Sequence, residues 1–385
     1  MTRVFQKLST PLVREFTRRE FLRLAAGSAA LVIVGCRPVP LDGGATPGGR
    51  STAEATPPPV TAVAPTHGAT AIPTRAPAVA LPTAGRITPV GDFYVQSYDE
   101  VPQVNLDSWR LLIKGLVREP LTLTWAEIQA LASVEVMRTL ECIGNPVGGH
   151  LIGNAMWRGV SLPALLERAG IRPGATHVIM EGADAYFTCI PLEKALDTRS
   201  LLAYNMNGAP LTAQHGFPLR ALIPGVYGQK QPKWLLVIEV TDHYEPGTWE
   251  QKGWSDTAVI QVNSRIDEPR KTVPLDAERA LVSGIAFADE SGVQRVEISY
   301  DDGASWQEAT LLPGPDTTVW TAWYAWWERP AAGKYILKAR ATDGHGHRQG
   351  DFKEASGRIL GGTFPNGTSE IHRVTVAVEP GVADG

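Results

Sequence analysis

From about Asp267 onward the chain is a succession of short alternating segments broken by turns, and this texture limits the fold more than any other feature. Val296-Glu-Ile-Ser-Tyr300 runs into Asp301-Asp302-Gly303, and three further segments, Trp320-Thr-Ala-Trp-Tyr324, Gly333-Lys-Tyr-Ile-Leu-Lys-Ala-Arg340 and His372-Arg-Val-Thr-Val-Ala-Val378, follow with no helical period between them. Strands of this length and spacing predict a β-sandwich of immunoglobulin-like size over residues 267–380. The aromatic run Trp320 to Trp327 reads as sandwich core and domain interface. Asp343-Gly-His345-Gly-His347 reads as a polar hairpin tip rather than a metal tract.

Residues 90–266 have a different pattern. Trp109-Arg-Leu-Leu-Ile-Lys-Gly-Leu-Val117, His177-Val-Ile-Met180 and Trp234-Leu-Leu-Val-Ile-Glu-Val240 read as strands. Thr124-Trp-Ala-Glu127 has the spacing of a capping box, and Ser161-Leu-Pro-Ala-Leu-Leu-Glu-Arg-Ala-Gly170 carries a helix start, an early proline and a terminal glycine. Strand and helix alternate irregularly, which predicts an α+β domain. No G-x-G-x-x-G follows a strand, so dinucleotide binding of the Rossmann kind is disfavoured. Of 385 residues 43% are hydrophobic, enough for cores in two domains, and a net charge of −4 without a Lys/Arg run excludes nucleic acid as a partner.

The first 36 residues read as an address. Arg18-Arg19 precede Phe21-Leu22 and an apolar run too short to span a bilayer, a pattern that resembles a twin-arginine export signal. Ile33-Val-Gly-Cys36 is similar to a lipobox, which implies a lipid anchor at Cys36 and a periplasmic location, or one on the outer face of the cytoplasmic membrane. Residues 37–89 are rich in Pro, Ala and Thr and nearly devoid of large apolar side chains, so they form a solvated tether, with His67 a tether residue.

Cysteines occur only at 36, 142 and 189, which leaves no disulfide framework and no paired zinc motif. Cys142 stands where the strand-like run Val134 to Leu140 breaks into the turn Gly144-Asn-Pro-Val-Gly-Gly149, a place suited to a soft ligand for a transition metal. Three other segments combine glycines with polar groups that a plain core does not need. They are Glu181-Gly-Ala-Asp-Ala-Tyr186, His215-Gly-Phe-Pro-Leu-Arg220 and Pro224-Gly-Val-Tyr-Gly-Gln-Lys-Gln-Pro-Lys-Trp234. An arginine fork, a lysine point charge and bare backbone N–H groups at glycine-permitted turns are what an oxyanionic ligand demands.

Residues 201–235, LLAYNMNGAPLTAQHGFPLRALIPGVYGQKQPKWL, together with Glu141-Cys-Ile-Gly-Asn145, resemble the sulfite-oxidase fold of molybdopterin-dependent oxidoreductases, and the likeness runs over nearly all of residues 90–380. The resemblance implies one molybdenum held by a pterin dithiolene and a protein thiolate, with Cys142 at the thiolate position. It places His215, Arg220 and Lys233 on the pterin and its phosphate and Asp184 on the pterin. Gln229 and Gln231, on the same loop, are expected to touch the cofactor through backbone or amide groups. The sandwich matches the family's often dimer-forming domain, which implies a homodimer. Cys189 falls where relatives carry a small residue, and reads as a core filler.

The pattern departs from the sulfite enzymes at the groups that handle charge. Gln96 stands near an expected arginine, Pro146 to Gly149 follow Asn145 in place of an arginine, and Gln251 replaces a tyrosine before Lys252-Gly253. A small dianion needs fixed positive charge around it. A mouth formed by Pro146 to Gly149, Tyr98, His150 and Trp254 therefore predicts a neutral or weakly charged substrate, such as a sulfoxide. No haem or iron–sulfur spacing occurs, so electrons pass to or from a separate cytochrome or quinone-linked subunit. The two alternatives are a sulfite dehydrogenase of the same fold, and a non-catalytic tethered scaffold or adhesion protein.

Overall fold

The computed structural model describes residues 81–82, 86–275, 278–328, 330–350 and 362–380. The export signal, Cys36 and most of the tether therefore lie outside the described residues. The described residues belong to one compact unit.

In the first half the elements in chain order are β1 (Arg110–Gly115), β2 (Leu121–Thr124), α1 (Trp125–Ala130), β3 (Ser133–Glu141), β4 (Ile152–Ser161) and α2 (Leu162–Ala169). β5 (His177–Gly182), β6 (Phe187–Pro191), α3 (Leu192–Ala195), β7 (Leu201–Met206), β8 (Ala209–Pro210), β9 (Arg220–Leu222) and β10 (Leu235–Thr241) complete it. Helices form where the caps are written in the sequence. Thr124 and Glu127 close the expected capping box, and Ser161 accepts the N–H of Ala164 at 3.3 Å while Gly170 ends α2 in the left-handed region. The short α3 has no side-chain cap, and the strands form two sheets ordered β2-β1-β10-β5-β6 and β3-β4-β7-β8, with β9 joined to β7. The strands expected over 109–117, 177–180 and 234–240 appear as β1, β5 and β10, and in the first sheet β10 lies between β1 and β5.

Beyond Val262 the chain enters a sandwich. β11 (Asn263–Glu268), β12 (Thr272–Pro274), β13 (Arg279–Phe287), β14 (Val293–Ser299), β15 (Gln307–Glu308), β16 (Thr310–Leu312), β17 (Thr321–Glu328), β18 (Gly333–Asp343) and β19 (His372–Glu379) form sheets β11-β13-β17-β16 and β12-β19-β18-β14-β15. Val282, Trp323, Ala325 and Trp327 of one sheet pack on Val296, Ile298, Leu337 and Val376 of the other. The tryptophan run is core as expected: Trp320, Trp323 and Trp327 are buried, and the tip at His345 and His347 is tied by the Asp343 carboxylate, which accepts both of their backbone N–H groups. The first sandwich strand starts at Asn263, and this brings its side chains back toward the end of β3.

A second contact across the seam joins the same place. Thr139 of β3 donates its N–H to the Thr318 carbonyl at 3.0 Å, and its hydroxyl accepts the Trp320 N–H at 3.0 Å. Ile143 and Ile152, at the two ends of the Cys142 loop, are buried in one cluster with Ile285, Phe287, Trp320 and Ala322 of the sandwich. The loop is thus bounded on one side by the sheet β3-β4-β7 and on the other by the sandwich.

That sheet depends on close approach at Gly159, where a methyl group would lie 2.1 Å from the Leu202 carbonyl oxygen and 2.6 Å from the Ala203 Cα. Both obstacles are backbone, so β4 and β7 would have to separate. Gly159→Ala is expected to destabilise the fold by about 1–3 kcal/mol, the usual cost of overpacking, as measured by thermal unfolding.

Candidate functional site

Cys142 directly follows β3 and opens a loop that returns at Leu151. Its N–H donates to the Leu151 carbonyl at 2.9 Å, its carbonyl accepts the Asn145 N–H at 2.9 Å, and Asn145 Oδ1 accepts the Leu151 N–H at 2.9 Å. These bonds fold residues 142–151 into a tight turn with Cys142 half-buried at its start. The Gly144 N–H points at the sulfur, with nitrogen and Sγ 3.4 Å apart. Trp254 stands nearby: a Cβ on Gly144 would lie 3.7 Å from Cys142 Sγ and 4.0 Å from the tip of its ring. Phe364 meets Trp254 edge-on at 5.2 Å and is 54% exposed, so an aromatic wall borders the sulfur on its open side.

The basic groups converge behind it. Arg220 opens β9, is 6% exposed, donates through Nη1 to the His215 carbonyl at 3.2 Å and lies over the Trp157 ring at 5.3 Å. Burial pulls its guanidinium down to about 10. Gly216, in the left-handed region, allows Lys233 and Arg220 to close in: a Cβ there would sit 3.0 Å from Lys233 Cβ and 3.2 Å from Arg220 Cβ. Lys233 donates to the Gln214 carbonyl at 2.8 Å and to Ser97 Oγ at 3.1 Å, and burial with Arg220 nearby lowers its ammonium to about 7. His215 is 4% exposed, its Nε2 lies 3.2 Å from the Val90 carbonyl, and burial followed by Arg220 pulls its imidazole down to about 4, so the ring is uncharged at neutral pH. Asp184 joins through Gly182, where a Cβ would meet both Asp184 Oδ1, at 2.8 Å, and the Lys233 carbonyl, at 2.5 Å.

Three buried tyrosines stand around the sulfur. Tyr94, Tyr186 and Tyr227 are held well above the usual phenol range, first by burial, and each is close enough to Cys142 for a thiolate there to add to the effect. Tyr94 also feels Arg220. Tyr186 takes its N–H to Asp184 Oδ1 at 3.2 Å and its hydroxyl to the Gln229 carbonyl. Cys142, Asp184, His215, Arg220, Gln229 and Lys233 therefore ring one site.

Gln231 differs from these. Its Oε1 accepts the Ile223 N–H at 3.1 Å, its Nε2 donates to the Val226 carbonyl at 2.8 Å, and its own N–H goes to Gly228, so it shapes the loop from within. Gln229 has its Nε2 on the Ser255 carbonyl at 3.0 Å while its buried Oε1 has no partner, and the same holds for Arg220 Nε. A buried donor and a buried acceptor left open in one ring are an unmet cost of about 1–3 kcal/mol each, which a polar ligand would relieve. With a soft sulfur, two cations and glycine-cleared space, the ring fits a metal carried by a phosphorylated organic group.

Local pattern missed several participants. Tyr94 lies inside the early segment read for its Gln96, and Glu141 directly precedes the cysteine. The last four residues of β3, Arg138 to Glu141, are all buried, so an acid there breaks the rule for a strand interior and was the available signal. Glu141 is 1% exposed and is pushed up to about 7 by burial, against the pull of Asn145 and Asn263. Lys230 and Glu250 form a fully buried ion pair beneath Cys189, whose carbonyl accepts Lys230 Nζ at 3.0 Å. Cys189 itself is buried in β6, as a core filler should be.

Residues 98–249 match the family described as oxidoreductase molybdopterin binding domain, and residues 255–330 match Mo-co oxidoreductase dimerisation domain. The mitochondrial sulfite oxidase of Drosophila melanogaster is 33% identical over 287 residues, which are 62% of this chain and 50% of that protein. The sulfite oxidase of Arabidopsis thaliana is 31% identical over 60% of this chain and 71% of its own length. The uncharacterized oxidoreductase YuiH of Bacillus subtilis is 35% identical over 44% of this chain and 87% of its own length. The chain thus spans about half the length of the animal relatives it matches. Among solved structures, the sulfane dehydrogenase SoxCD from Paracoccus pantotrophus shares the fold, with a TM-score of 0.66 at 24% identity over 77% of this chain and 84% of that one.

Arg220→Met and Lys233→Met are each expected to lower the molybdenum content of the purified full-length protein by about 10- to 100-fold, the factor carried by one hydrogen bond to a charged group. Elemental analysis reads this directly. The His215 ring is expected to stay uncharged on acidification until about pH 4, followed by imidazole nitrogen NMR, because its folded-state value lies below the usual histidine range.

Proposed function

The chain belongs to the sulfite oxidase family of molybdopterin-binding oxidoreductases, and from that premise we propose an exported enzyme that carries out oxygen-atom or two-electron transfer at a Cys142-ligated molybdenum, on a substrate other than sulfite. The observation that carries the proposal is the pair of open polar atoms, Arg220 Nε and Gln229 Oε1, buried in the ring that also holds Cys142.

In this reading Arg220 and Lys233 grip the phosphate of the pterin, Asp184 and neutral His215 accept from or donate to its ring system, and Gln229 Oε1 accepts one of its donors. Lys233, lowered to about 7, takes up a proton as the phosphate arrives, so the charge it needs is supplied by binding. Bound there, molybdenum supplies the two-electron step. The residues of the chain do the rest. Tyr94, Tyr186 and Tyr227 keep their phenolic protons beside the sulfur, and Trp254 with Phe364 excludes water from the open side. Glycines at 144, 148 and 149 with Pro146 add no charge, and this aromatic mouth supports a neutral or weakly charged substrate such as a sulfoxide.

Sulfite oxidation is the second reading, and Lys252 favours it. Its ammonium lies 4.5 Å from the Tyr98 ring centroid and 4.7 Å from that of Trp249, and Tyr98 is 6.2 Å from Tyr186, so a cation borders the Tyr98 side of the mouth. The proposal further includes an immunoglobulin-like, dimer-forming sandwich, a cytochrome or quinone-linked electron partner, and a lipid anchor at Cys36 on the far side of the cytoplasmic membrane.

Purified holoprotein assayed with a redox dye is expected to turn over sulfoxides and to leave sulfite nearly untouched; efficient sulfite turnover selects the second reading. Cys142→Ser is expected to lower turnover by more than the about 10- to 100-fold that loss of an outer-shell partner costs. Absence of molybdenum in protein made by a molybdenum-replete host would favour the scaffold alternative. Cys36→Ser is expected to move the protein from the membrane to the soluble fraction.

A further inference from the structure

We infer that Asn263 and Arg265, on the first strand of the sandwich, are positioning residues that fix the Cys142 sulfur from the neighbouring domain. The inference deepens the proposed function and rests on its reading of Cys142 as the metal ligand.

The residues on either side of Cys142 are both held by the sandwich. Asn263 Nδ2 donates to Glu141 Oε2 at 3.0 Å and to Oε1 at 3.2 Å. The same carboxylate accepts Asn145 Nδ2 at 2.8 Å, so one buried acid bridges β11 to the turn that carries the cysteine. On the other flank, Ile143 is sunk in the cluster with Phe287 and Trp320. The far end of the loop is gripped as well: Arg265 Nη1 donates to the Gly149 carbonyl at 2.7 Å, while its Nε is tied to Asp267 at 2.7 Å, which sets the plane of the guanidinium. His372 closes the space over Gly148, where a Cβ would lie 2.1 Å from its Nε2, and its Nδ1 accepts the Ile266 N–H at 2.9 Å.

The turn's own bonds fix its shape but not its place relative to the cation ring, because they all run within residues 142–151. Its placement comes from β3 and from these sandwich contacts. A ligand site must be held within about half an ångström to work, and that tolerance is set by the groups behind the ligand. Asn263 and Arg265 follow Cys142 only after most of the cofactor-binding domain in sequence, and they bond to Glu141 and to Gly149 on the two sides of the loop, so they act through the loop.

The test uses full-length holoprotein. Asn263→Leu and Arg265→Ala are each expected to speed amide hydrogen exchange across residues 144–151 by about tenfold, roughly the loss of one net hydrogen bond, to displace the sulfur-to-metal charge-transfer band, and to lower kcat with KM unchanged. Arg265→Lys, which keeps a donor, is expected to restore the band. Glu290→Gln cuts the seam ion pairs with Lys194 and Arg199 and serves as the control, with loop exchange and band at wild-type values. Wild-type exchange and band in both Asn263→Leu and Arg265→Ala overturn the inference, as does a displacement equally large in Glu290→Gln. If Asn263→Leu fails to fold, Arg265→Ala decides alone. If the wild-type holoprotein has no sulfur-to-metal band, the ligand reading of Cys142 fails instead, and loop exchange still decides the clamp.

Discussion

Positive charge confined out of water is the constraint on which the rest of the structure turns. Arg220 is almost fully buried on the Trp157 face, with Lys233 and His215 beside it, and Asp184 acts on Lys233. Taking such a cation out of water costs several kcal/mol unless an anion and hydrogen bonds answer it. The protein meets part of this by lowering the proton affinity of Lys233 and His215 and by stacking Arg220 on indole. The remainder is left open, as the orphaned Nε shows. A fold that tolerates this is one whose stability is arranged to include an anionic ligand.

The sulfur is placed by a different kind of force. Hydrogen bonds within the turn shape the Cys142 loop, and the sandwich holds it by Asn263, Arg265, His372 and the cluster around Phe287. The two domains thus divide the work: one gathers the cations, and the other steadies the loop that faces them. This gives the sandwich a part in the site besides any role in association between copies of the chain.

Much of the site was legible locally. Cys142, Asp184, His215, Arg220 and Lys233 each sit in a short segment that contains a glycine, and at Gly182 and Gly216 that glycine permits close approach. Gln231 shows the limit of such reading. It shares a loop with Gln229, but its amide is spent on Ile223 and Val226, and only coordinates reveal which of two neighbouring glutamines keeps an open atom. Tyr94 and Tyr186 were hidden for the same reason, since burial next to the sulfur leaves no mark on local pattern. Glu141, by contrast, could have been noticed as an acid in a buried strand end.

The sequence by itself determined the strands, the capped helices and the sandwich texture, and it set Cys142 at the mouth of a turn, because these follow from period, caps and turn chemistry within a few residues. Tertiary structure alone decided that Asn263 answers Glu141 across 122 positions, that Arg265 closes on Gly149, and that three tyrosines stand around one sulfur. Such pairings depend on how sheets pack, and packing joins residues whose separation in the chain carries no periodic or compositional trace.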